Sequence, residues 1–89
     1  MEYRIASIEP KSEYTRNKYY PMMVGRECDV THLAVGWHGL LVVDMAYDPG
    51  NPHRFRTTPV KQIENLTDGT IVFETENSVY TLTRKEEGE

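Results

Sequence analysis

The chain has 89 residues and a formal net charge of −4, with ten Lys+Arg against fourteen Asp+Glu. That length makes one domain with a thin core and leaves no room for a separate cofactor domain. A hydrophobic share of 38% with 27% charged residues reads as a folded soluble protein rather than a disordered one.

Glu2–Glu9 alternates weakly and reads as a first strand with Tyr3, Ile5 and Ser7 on one face; Pro10 stops it. Lys11–Tyr20 is polar and aromatic without a clean period, so it reads as a long loop before Pro21. Val24–Val30 leads through a turn into a strand in which Cys28, Val30 and His32 share a face. Gly36 and Gly39 bracket Trp37-His38 and favour a turn over a helix. In Leu40–Tyr47 the set Leu41, Val43, Met45 and Tyr47 is expected inside, because the other set contains Asp44, which would be buried without a visible partner.

Asp48-Pro49-Gly50-Asn51-Pro52 is the strongest loop signal. His53–Thr58 returns as a strand, Pro59 suits an edge or a bend, and Val60–Asn65 follows. Thr67-Asp68-Gly69 and Glu76-Asn77-Ser78 are turns that separate Thr70–Glu76 and Val79–Arg84, a compact meander. The expected fold is therefore all-β: a single small barrel of five to seven short antiparallel strands over residues 1–84, with 85–89 as a disordered acidic tail.

Three features bear on location. Cys28 is the only cysteine, which rules out an internal disulfide and fits the reducing cytoplasm. The opening MEYRIASIEP lacks the basic and apolar regions of a signal peptide. Leu40–Val43 is too short to cross a membrane, so no membrane association is expected.

The stretch Thr57-Thr58-Pro59-Val60, with Thr75-Glu76-Asn77-Ser78-Val79-Tyr80-Thr81-Leu82, resembles a pattern in small SH3-like barrel proteins of gut bacteria and their phages. The resemblance covers about a third of the chain and is carried by turn and core residues. It implies an SH3-like barrel and a mobile-element setting in which the protein modulates or inhibits another protein, and it implies no chemistry.

No enzyme is expected, and no cofactor or metal. Cys28 and His32 are four apart, which on a strand is roughly 13 Å, too far to share an ion. Gly36-Trp37-His38-Gly39 matches no nucleotide fingerprint. Two patches carry the expected binding. Tyr14-Thr15-Arg16-Asn17-Lys18-Tyr19-Tyr20 interleaves tyrosines with bases, and Tyr and Arg are frequent interface anchors. Tyr14, Arg16, Tyr19 and Tyr20, together with Trp37, are the candidate protein-binding residues, against the alternative that Tyr19 and Tyr20 close one end of a barrel. His53-Arg54-Phe55-Arg56 with Lys61 is the second patch, with Arg54 and Arg56 on one strand face.

The leading expectation is a non-enzymatic domain that binds another protein. A nucleic-acid-binding barrel using Arg16, Lys18, Arg54, Arg56 and Lys61 is the alternative; the acidic balance argues against it without excluding a local basic face. A third reading is a homodimer paired through an edge strand such as Glu2–Glu9.

Overall fold

The computed structural model describes residues 1–12 and 19–85. These form six strands and one helical turn: β1 (Tyr3–Pro10), α1 (Tyr20–Met23), β2 (Glu27–His32), β3 (His38–Val43), β4 (His53–Asn65), β5 (Ile71–Thr75) and β6 (Ser78–Arg84). Each strand pairs antiparallel with the next, and β6 returns to β1, so the sheet closes into a barrel. Closure pairs β1 with β6 from Tyr3 to Pro10 and with β2 at Tyr3 and Arg4. A strand that reads as an edge in sequence is thus held on both sides at its start. Among the described residues no helix is long and apolar enough to cross a membrane.

The interior is filled by residues of every strand, largely in alternation; in β1 a register slip between Ile5 and Ser7 turns Ile8 inward in place of Ser7. Ile5 and Ile8 come from β1, Cys28 from β2, Leu41 and Val43 from β3, Val60 from β4, Phe73 from β5, and Tyr80 and Leu82 from β6. Phe73 and Tyr80 are cross-strand partners whose rings stack at 4.7 Å between centroids. Such a pair adds about 0.5–1.5 kcal/mol beyond its buried area.

Several elements differ from the sequence expectation for identifiable reasons. Tyr20–Met23 is one helical turn, started by Pro21, whose fixed φ and missing N–H suit that position. Met23 drops from it into the core, and Tyr20 reaches over Ser78 and Tyr80. Cys28 and Val30 point inward but His32 is exposed, because the β2–β3 register slips between Val30 and His32. One extra residue in a strand reverses the facing of the residues after it. Leu41, Val43 and Met45 are buried as expected, whereas Tyr47 is exposed; β3 ends at Val43 and the alternation runs on only as far as Met45.

Pro59 does not end a strand. The two expected strands around it are one 13-residue strand, β4, whose first part pairs with β3 and whose last part pairs with β5. Its buried positions change parity across Thr58-Pro59: Thr57 is inside, and then Val60. The proline marks the bend where β4 changes partners, a place that tolerates its missing N–H.

Asp44 is half-buried and paired, with its carboxylate 3.2 Å from Arg26, whose Nε also donates to the Asp44 carbonyl. Lys85, grouped with the tail by composition, is tied to the barrel by a backbone bond to Glu2 and an ion pair with Glu27. Residues 86–89 lie outside the described residues.

Candidate protein-interaction surface

The loop between β2 and β3 begins inside the barrel and ends outside it. Leu33 packs against the core, and Val35 and Trp37 then face solvent at 60% and 63% exposure. These are the two most exposed large apolar side chains of the described residues. Gly36 sits between them at φ +92°, a left-handed backbone that glycine adopts without strain.

The loop is fastened to β4. The Gly36 N–H donates to the Val60 carbonyl and the Val60 N–H donates to the Trp37 carbonyl, each at 2.8 Å. Val60 is itself buried at 1% exposure. An exposed indole is thus carried on backbone anchored to the core, and a pre-positioned side chain loses less freedom on binding than one on a loose loop.

Trp37 immediately precedes β3, whose outward residues are His38, Leu40 and Val42. The pairing register places their neighbours. Leu40 lies between His32 on β2 and Arg56 on β4, and Val42 lies between Asp29 and Arg54. Leu40 and Val42 are half-buried; Arg54 and Arg56 are exposed. The outer face of β2–β3–β4 therefore carries a short apolar strip with two arginines along one side and the tryptophan loop at its end. Among the described residues neither arginine has an ion-pair partner, whereas Lys11, Arg26, Arg84 and Lys85 each have one.

In sequence, Trp37 and the Arg54/Arg56 pair belong to different candidate sites; the structure fastens the Trp37 backbone to Val60 at the start of β3 and sets the arginines opposite Leu40 and Val42 further along it. Lys61 does not join them. It lies on the half of β4 that pairs with β5, roughly 16 Å from Arg56 along an extended strand. Tyr19 is half-buried and packs on Phe55, with ring centroids 5.8 Å apart. Tyr20 closes one end of the barrel with its hydroxyl bonded to Ser78 and Tyr80. Tyr14, Arg16 and Lys18 lie outside the described residues. Leu40, Val42 and Val35 do not stand out as contact residues in the sequence, although the alternation of β3 holds the signal for the first two.

A recess of about 390 Å³ is lined by Arg4, Gly25, Arg26, Glu27, Asp44 and Lys85. Its charges largely satisfy one another through Arg26–Asp44 and Lys85–Glu27, so it reads as a polar brace between elements. Elsewhere, Asp48 accepts from Asn51 and bonds His53 at 2.9 Å each, and these two bonds hold its carboxyl below the usual range. Cys28 is sealed in the barrel while His32 is outside it, so the two do not converge. No family model, no curated protein and no solved structure matches the chain.

Proposed function

We propose that this protein is a non-enzymatic interaction domain that binds another protein through the Trp37 loop and the adjoining outer face of β3. The observation that carries the reading is the 63% exposure of Trp37 on a loop hydrogen-bonded to a buried strand residue. An exposed tryptophan leaves apolar area in water, and tryptophan is among the residues most enriched at the centres of protein interfaces. A role in modulating a host protein from a phage or mobile element is one form of this reading.

Nucleic-acid binding is the second reading, favoured by Arg54 and Arg56, which are exposed side by side on β4 without an ion-pair partner among the described residues. It is weakened by the net charge of −4 and by Lys61 lying apart from them.

Affinity capture from source-cell lysate with the tagged chain and its Trp37→Ala variant, each with and without nuclease, tests both. A protein recovered by the unaltered chain, resistant to nuclease and lost from the variant is the expected result. Identical recovery by both chains removes the tryptophan reading, and recovery that disappears with nuclease moves the function to nucleic acid.

A further inference from the structure

We infer that the partner segment seated on the β3–β4 face is acidic: an extended peptide stretch that places carboxylates on Arg54 and Arg56 and an apolar side chain on the Leu40/Val42 strip. This rests on the protein-binding reading above and adds the partner's chemistry to it.

The chain has more acids than bases, yet Arg54 and Arg56 have no carboxylate partner among the described residues. Their cross-strand neighbours on β3 are apolar, Val42 opposite Arg54 and Leu40 opposite Arg56. Two like charges two residues apart on one strand face lie about 6.6 Å from each other and repel. A carboxylate-bearing ligand removes that repulsion, and the planar guanidinium holds a carboxylate through two parallel hydrogen bonds.

On the other side of the strip, Asp29 already accepts a hydrogen bond from the Glu2 N–H at 2.7 Å, and His32 is exposed. The row that meets a ligand is therefore basic on the β4 side and apolar in the middle. The apolar strip favours a peptide over a nucleic acid, whose phosphates would gain little from Leu40 and Val42.

The test is selection of peptides from a random displayed library by the full chain, followed by affinity measurement of the selected peptides by fluorescence anisotropy. Peptides rich in Asp and Glu are expected. Their binding should weaken at least about tenfold in Arg54→Gln/Arg56→Gln, the scale of a lost charge-assisted hydrogen bond. Arg54→Glu/Arg56→Glu should instead select basic peptides. Both arginines are exposed, so melting curves of the variants should match the unaltered chain.

Selected peptides without acidic enrichment, no selected peptides, or affinities indifferent to both variants would overturn the inference. So would arginine-dependent binding of a mixed-sequence single-stranded oligonucleotide in place of peptide, or dimerisation in sedimentation that the arginine variants abolish. Trp37→Ala separates the two readings: acid preference that survives it while affinity is unchanged leaves the arginine pair standing and removes the tryptophan, and the converse removes the arginine pair alone.

Discussion

The Tyr20 hydroxyl lies 2.9 Å from the Ser78 hydroxyl, joining the single helical turn to the start of β6 across 58 residues of sequence. Ser78 is fully buried, and the Tyr20 hydroxyl meets both its hydroxyl and that of Tyr80. Tyr20→Phe keeps the ring and removes both bonds, leaving the Ser78 and Tyr80 hydroxyls one partner short inside the protein. A loss of about 1–3 kcal/mol in urea unfolding is expected. An unchanged midpoint would mean that the bonds contribute nothing to closing the barrel end.

Thr57 and Thr58 are neighbours with opposite expected outcomes. The Thr57 hydroxyl accepts from the Gly39 N–H at 2.8 Å and donates to the Thr58 carbonyl at 2.7 Å, binding β4 to β3 beside the bend. The Thr58 hydroxyl is buried with no hydrogen-bond partner among the described residues. Thr57→Val orphans a buried N–H and should cost about 1–3 kcal/mol. Thr58→Val removes an unsatisfied oxygen and should be neutral or stabilising by up to about 1 kcal/mol. Equal losses in paired thermal melts would refute the distinction.

The barrel was legible because its signals are local. Turns at Thr67-Asp68-Gly69 and Glu76-Asn77-Ser78 and the alternation through Leu41, Val43 and Met45 depend only on neighbours in sequence. What escaped depended on partners far along the chain. The slip between Val30 and His32 exists because of how β2 meets β3, and the continuity of β4 through Pro59 exists because two different strands accept its two halves. The candidate surface was half legible for the same reason. Trp37 and Arg54/Arg56 stand out by residue type, but the placing of the arginines against Leu40 and Val42 is a matter of register across β3.

Gly69 closes the β4–β5 turn at φ +89°, with its N–H on the Leu66 carbonyl and the next N–H, of Thr70, on the Asp68 carboxylate. That second bond holds the Asp68 carboxyl below its ordinary range. A methyl group at residue 69 would lie 3.0 Å from Arg84 Cδ and 3.3 Å from its Cβ. Gly69→Ala therefore meets both an unfavourable backbone conformation and a crowded β6, and should cost roughly 1–2 kcal/mol. A variant as stable as the parent in urea would mean that the turn relaxes freely.

Cys28 has no exposed surface, and burial, reinforced by the neighbouring charge of Asp29, pushes its thiol up to about 12. Burial first, and then the hydrogen bond with Tyr20, also raises the Tyr80 phenol. Both groups stay protonated in the folded barrel at a pH where the unfolded chain ionises. The Cys28 contribution to stability is complete below the unfolded thiol value of 9.0 and is lost as pH rises toward 12, and that of Tyr80 begins to be lost only above its unfolded value of 10.0. Stability should fall steadily across that window, and Cys28→Ala should flatten part of the slope while lowering stability at pH 7 by about 1–3 kcal/mol through the cavity it leaves. In the unaltered chain, iodoacetamide at pH 8 should label Cys28 only as fast as the barrel opens, and urea should speed the labelling sharply. Rapid labelling of the native protein would place the thiol at the surface and remove the alkaline prediction with it.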